Sequence, residues 1–254
     1  MLHTIAVISL IIYFLTIGDL LYRGRIEKIE DRRERSAAAV PLVQGILRTI
    51  LKVSGVTYDV EGIENLTSIP KEEGVMFVGN HRSYYDVLIA YSLVDRPTGF
   101  IAKSEMKKIK PLARWMEYVS CLMMERDNLK QSLKVIITAI KYVNLGISMW
   151  IYPEGTRSNG ASEEDMLPFK EGSFKIAEKS NCKIVPVSMI HTRDILEAHF
   201  PIIKPQHVKV KIGKPITVNE IPEDMKKHVG SYVRDIVISN IRDLKAKEQE
   251  EKKA

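Results

Sequence analysis

The chain has 254 residues, 45% of them hydrophobic and 28% charged, with 38 basic against 32 acidic side chains and a formal net charge of +6. That length suits one large domain with an appendage, and the mixture of apolar and charged residues excludes a disordered chain, a collagen-like repeat and a disulfide-stapled miniprotein. The basic excess fits an anionic partner, whether nucleic acid, an anionic membrane surface or a phosphorylated substrate, and composition does not choose among them.

Residues 2 to 22, LHTIAVISLIIYFLTIGDLLY, form an apolar run broken only by His3, two threonines, a serine, a glycine and Asp19. Its most apolar part, Ile5 to Ile17, is shorter than the roughly 20 residues of a comfortable bilayer span. No lysine or arginine precedes the run and no small-x-small site follows it, which argues against a cleaved signal. It reads as a marginal span or a shallow anchor. The next stretch, RGRIEKIEDRRER, carries six basic residues against four acidic ones, which would place it on the cytoplasmic side if the run inserts.

From 37 to 55, Leu42, Val43, Ile46, Leu47, Ile50 and Leu51 recur at helical spacing. Such a helix packs on a core or forms the second arm of a hairpin lying in a membrane interface, and its place after the apolar run favours the hairpin. The expected organisation is an anchor over 1–56 and an α/β domain over 57–254.

Short β-rich runs follow at 74–79, 98–102, 119–124, 147–152, 183–190 and 207–212, most of them separated by helical text. The clearest helix covers 128–144, where Leu129, Leu133, Ile136, Ile137, Ile140 and Val143 are expected to make one face and lysines the other. This alternation predicts an α/β fold with a largely parallel central sheet flanked by helices, whose ligands bind at the carboxyl ends of the strands. The last residues, ending AKEQEEKKA, read as a solvated helix.

Cys121 and Cys182 lie far apart with no C-x-x-C pairing, which suggests buried thiols in a reducing compartment. The six histidines form no H-E-x-x-H or other close ligand pair, so no metal is expected. The chemistry-bearing text falls at predicted strand ends. After GVMFVG comes NHRSYYD, residues 80–86. In a regular helix an offset of five turns His81 and Asp86 about 140° apart, so the two meet only if His81 sits in the bend before the helix. Paired, they would make a general base and its orienting partner; a histidine beside a helix-capping aspartate is the plain structural alternative. After ISMWIY, residues 152–158 read YPEGTRS. Here Gly155 and Thr156 suit a tight turn with backbone N–H groups aimed at the cleft, and Arg157 supplies donors suited to phosphate. An ordinary turn with an exposed arginine is the alternative. The strand end at 124–127 carries MERD, placing Glu125 and Arg126 where a ligand would lie.

These blocks resemble those of the glycerophospholipid acyltransferases. NHRSYYD matches the pattern N-H-x-S-x-x-D, YPEGTRS matches F-P-E-G-T-R-S, and VPV at 185–187 matches a further block. VEGIENL at 60–66, AKSEM at 102–106 and PFKEGSF at 168–174 add to the likeness, which covers about residues 56–215 and is strongest to the 1-acyl-glycerol-3-phosphate acyltransferases. One block departs: where the family has G-x-I-F-I-D-R, this chain has SCLMMER at 120–126, without the glycine and with Glu125 for the aspartate, while Arg126 is kept.

The resemblance implies acyl transfer from a thioester to the free hydroxyl of a lysophospholipid at a membrane. His81 would be the base and Asp86 its partner, while Lys103, Arg126, Glu154, Gly155, Thr156 and Arg157 would position the acceptor phosphate, with Glu154 holding an arginine in place. Lys103 also reads as a solvated lysine of a basic patch. No cofactor is expected beyond the acyl donor, coenzyme A-bound or carrier-protein-bound. The chain has no G-x-S-x-G elbow, in keeping with a thioester that needs no enzyme nucleophile. The patch KSEMKKIKPLAR at 103–114, with five basic residues and one acidic, suits anionic headgroups, an acidic carrier protein or plain solvent. A nucleic-acid reader is disfavoured, because aromatics make up 7% of the chain and the motifs sit at strand ends.

Overall fold

A computed structural model describes residues 1–253. The first helix runs from Leu2 to Ile26 in three parts: α1 (Leu2–Tyr13), a π-helical turn at Phe14–Gly18 and α2 (Asp19–Ile26). A short bend leads to α3 (Arg32–Val53), whose N-terminus is capped by Asp31 accepting the Glu34 N–H. Both Leu2–Ile26 and Arg32–Val53 are long and apolar enough to cross a membrane by length and composition. They differ in what they touch. The first helix exposes Leu2, Ile5, Ile8, Ile12, Tyr13, Leu20 and Leu21, whereas the large apolar residues of α3, its valines, leucines and isoleucines, are buried or half-buried against the rest of the protein.

The remaining strands and longer helices are β1 (Val56–Glu61), α4 (Ile63–Thr67), β2 (Met76–Gly79), α5 (Tyr84–Leu93), β3 (Thr98–Lys103), α6 (Lys110–Tyr118), β4 (Leu122–Met124), α7 (Leu129–Asn144), β5 (Ser148–Ile151), α8 (Lys175–Ser180), β6 (Ile184–Ile190), β7 (Gln206–Ile212) and α9 (Val229–Glu251). The seven strands form one sheet in the order β1-β7-β6-β2-β5-β3-β4. Pairing is parallel throughout, except that β7 runs antiparallel to β6. The central strands β2, β5 and β6 are buried along their whole length, which is why they read as continuous apolar runs rather than alternating ones. The largely parallel, helix-flanked sheet predicted from the alternation is therefore present.

Each face of the sheet has its own core. On one side α3, α5 and α6 cover Phe77, Phe100 and Trp150, whose rings stack. On the other α7, α8 and α9 cover Met76, Met149, Ile151 and Ile184. Helix α3 also satisfies the end of α5, because Gln44 Nε2 donates to the carbonyls of Tyr91 and Val94 and Arg48 donates to that of Ser92. A helix C-terminus leaves such carbonyls without intrahelical partners.

Two expectations change. Strand β1 was not among the predicted runs, because its outer residues Thr57, Asp59 and Glu61 give a half-polar text typical of an edge. In α7 the buried row is Val135, Ala139 and Val143, with Ile136 and Ile140 half-buried beside it, while Leu129, Leu133 and Ile137 are exposed. The helix is apolar on two rows, and the row through the small Ala139 faces the sheet.

Candidate active site

Four adjacent parallel strands, β2, β5, β3 and β4, end on the same edge of the sheet, and each delivers one part of the site. At the end of β2 the Asn80 side chain pairs with both backbone groups of Met189 on β6, at 2.8 and 2.9 Å. This ends the ladder and turns the chain out of the sheet. His81 follows in the bend, before Ser83 caps α5 and Asp86 completes a capping box.

In that bend His81 and Asp86 meet. His81 Nδ1 lies 2.8 Å from Asp86 Oδ2, which also accepts the backbone N–H groups of Arg82 and Ser83 at 2.7 Å each. Asp86 is fully buried and the His81 side chain is 17% exposed, so the aspartate is fixed while the imidazole still reaches the cleft. The capping role and the pairing role are filled by the same carboxylate, and the two readings of this motif are not exclusive. With Nδ1 engaged, Nε2 is the nitrogen left to exchange a proton with a ligand. The Tyr152 ring stacks on the imidazole at 4.2 Å between centroids and 14° between planes. Burial, reinforced by the Asp86 charge, holds the Tyr152 phenol well above its ordinary range, so it stays neutral.

The YPEGTRS turn is laced to the same bend. Glu154, 3% exposed, accepts the His81 backbone N–H through Oε1 at 2.8 Å and the Leu167 N–H through Oε2 at 2.9 Å, while the Ser158 N–H donates to the His81 carbonyl at 2.7 Å. The expected hold of Glu154 on an arginine is thus replaced by a hold on backbone: no guanidinium contacts Glu154 among the described residues. Burial pushes its carboxyl upward, and these N–H groups pull it back. Gly155 has φ +78°, and a Cβ there would stand 2.9 Å from Lys170 Nζ, so only glycine suits this turn. Its N–H donates to the Tyr152 carbonyl at 3.0 Å and is not aimed at the cleft as expected. That leaves the N–H groups of Thr156 and Arg157 as donors from the turn.

Lys103 ends β3 and is exposed, and its register partner is Met124, two residues before Arg126 on the loop after β4. Arg126 is half-buried, and desolvation draws its pKa down while Glu105 and Asp127 oppose the shift. The structure therefore gathers the dyad, the turn and two separate cations along one edge. Sequence reasoning missed the Tyr152 stack, although Tyr152 opens a motif already singled out, and it missed Glu197, which lies outside every motif and bonds Arg157. No group of three or more metal-ligating side chains occurs among the described residues.

The chain is similar to known proteins in sequence and fold. The 1-acyl-sn-glycerol-3-phosphate acyltransferase of Borreliella burgdorferi is 26% identical over 204 residues, 80% of this chain and 79% of that protein. The protein of the same name from Escherichia coli is 27% identical over 170 residues, 66% of this chain and 67% of that one. In fold, the crystal structure of the 1-acyl-sn-glycerophosphate acyltransferase PlsC from Thermotoga maritima superimposes with a TM-score of 0.80 and 23% identity, covering 96% of this chain and 95% of that one. A model of the family described as Acyltransferase matches residues 58–190, a stretch that includes β2 through β6 and both motif turns, and the chain belongs to this acyltransferase family.

Proposed function

We propose that the protein transfers a fatty acyl group from an acyl thioester to the free hydroxyl of 1-acyl-sn-glycerol 3-phosphate, giving phosphatidic acid. The observation that carries this reading is the His81–Asp86 pair, 2.8 Å apart at the end of a buried strand and flanked by cations suited to a phosphate. His81 Nε2 takes the acceptor's hydroxyl proton as the oxygen attacks the thioester carbonyl. Asp86 stabilises the imidazolium that forms. The tetrahedral oxyanion is stabilised by backbone N–H groups of the Thr156 turn. Collapse breaks the C–S bond, and the proton held on His81 passes to the leaving thiolate of coenzyme A or a carrier protein. Arg126, Arg157 and Lys103 neutralise the acceptor phosphate, while Glu154 and Gly155 shape the turn that presents the donors.

The first helix supports a membrane location and suggests how the chain lies there. His3 Nδ1 is 2.6 Å from the Val53 carbonyl, the Thr4 hydroxyl exchanges hydrogen bonds with Pro201 and Ile203, Phe14 packs on Trp115 at 4.7 Å, Asp19 pairs with Arg114, and Glu27 accepts from Tyr118 at 2.8 Å. A helix of this length is about 38 Å long, and one that crossed a bilayer would carry one end about 30 Å from the catalytic domain. Contacts at both ends instead fit a helix lying flat in one leaflet with Leu2, Ile5, Ile12, Leu20 and Leu21 toward the lipid. The basic bend at 23–35 favours the cytoplasmic leaflet for this helix. In sealed inside-out vesicles, protease should reach tags at both termini; protection of the N-terminal tag alone would mean that the helix crosses.

The acceptor is tested by offering 1-acyl-glycerol 3-phosphate, glycerol 3-phosphate and a headgroup-bearing lysophospholipid with one labelled thioester. Labelled phosphatidic acid should dominate. Label appearing mainly in either of the other products rejects the assignment.

A further inference from the structure

Arg157 does not hang freely at the rim of the site. Its Nη1 donates to Glu197 Oε1 at 2.8 Å, and its guanidinium lies 3.9 Å from the centroid of the Tyr84 ring. The same Glu197 oxygen accepts the backbone N–H of Tyr84 at 2.8 Å, and Tyr84 is the first residue of α5. One carboxylate therefore ties the arginine of the β5 turn to the helix that carries Asp86. Glu197 lies in a short 3-10 turn, Glu197–His199, between β6 and β7. Its side chain is 15% exposed and its Oε2 is buried without a partner among the described residues.

A guanidinium has a rigid fork of five donors, and among the described residues Arg157 spends one of them on Glu197. A carboxylate on one edge and a tyrosine face beneath it fix the plane of the fork and leave its other edge open, which suits an oxyanion held by two donors. Ordering a long side chain at the moment of binding costs affinity, and a residue that orders it beforehand removes that cost. We propose that Glu197 is a positioning residue for the acceptor: it holds Arg157 in the orientation that receives the acceptor's phosphate. This rests on the reading that Arg157 binds that phosphate.

The test is steady-state kinetics on the full-length protein in lipid, with 1-acyl-glycerol 3-phosphate and an acyl thioester varied in turn. Glu197→Ala should raise the acceptor KM about tenfold, with kcat and the thioester KM changed by less than about twofold, a split that general damage to the fold does not produce. Glu197→Gln keeps an oxygen able to accept both N–H groups and should recover most of the loss. Arg157→Ala should raise the acceptor KM, and the double variant Arg157→Ala/Glu197→Ala should be no worse than Arg157→Ala alone, because the two side chains act as one unit. Should Glu197→Ala fail to fold, Glu197→Asp, which withdraws the carboxylate by one methylene, should show the same rise in acceptor KM. An acceptor KM that is unchanged or lowered in the folded Glu197 variants overturns the proposal, as do additive effects in the double variant. If Arg157→Ala itself leaves the acceptor KM unchanged, the phosphate reading of Arg157 fails and takes this proposal with it. A raised KM in Arg157→Ala with no effect of Glu197 removes the positioning role alone.

Discussion

At the β2 end of the cleft the proposed catalytic pair is held by hydrogen bonds within the six residues 81–86, and the aspartate is wholly buried. At the β3 and β4 end the cations come from the end of β3 and the loop after β4, with Lys103 exposed and Arg126 half-buried. The contrast follows from what each end must do. Proton transfer needs donor and acceptor in hydrogen-bond range, and a misplacement of about 1 Å costs on the order of 10²-fold in rate. Attraction between a cation and a phosphate falls off only as the inverse of distance, so on this proposal several loosely placed cations would share the work.

Substitutions should expose this difference as a graded series. Asp86→Ala removes the acceptor of three donors, including the imidazole, and should lower kcat by about 10² to 10⁴. Glu154→Ala should come next. It leaves two partly buried backbone N–H groups without their acceptor, a loss of about 1 kcal/mol visible as a lower melting temperature, and it frees the His81 backbone. Burial raises the Glu154 pKa in the folded state, so the folded protein binds that proton more tightly than the unfolded chain does. Ionising it therefore costs stability as pH rises through the raised value. Relative to Glu154→Gln, the wild type should gain thermal stability as pH falls from neutrality, and a pH-independent difference would show that the shift is absent. Arg126→Ala should raise the acceptor KM about tenfold, as expected for one charge-assisted contact, with a smaller change in kcat. Lys103→Ala should have the smallest effect, within about threefold, because an exposed cation is screened by water and salt. An equal loss at Lys103 and Asp86 would erase the distinction between the two ends.

The fold and the dyad were legible because their signals are local. Six of the seven strands coincide with short β-rich runs, and NHRSYYD contains the proposed base, the cap and its carboxylate partner within one bend. What escaped is non-local or depends on which side the core lies. The half-polar text of β1 becomes a strand only through β7, about 150 residues away in sequence. The buried face of α7 was decided by the sheet beneath it rather than by the helix's own two apolar rows. Glu154 carries no mark of whether it will meet an arginine or a backbone N–H, and Glu197 comes to Arg157 from 40 residues further along the chain.

The central claim is that His81 Nε2 moves the acceptor's proton, and it is tested most directly by the turnover of His81→Ala. With 1-acyl-glycerol 3-phosphate and a labelled thioester both saturating, the variant should remain folded and membrane-bound and lose about 10² to 10⁴ of kcat. Turnover within about threefold of the wild type would contradict the account.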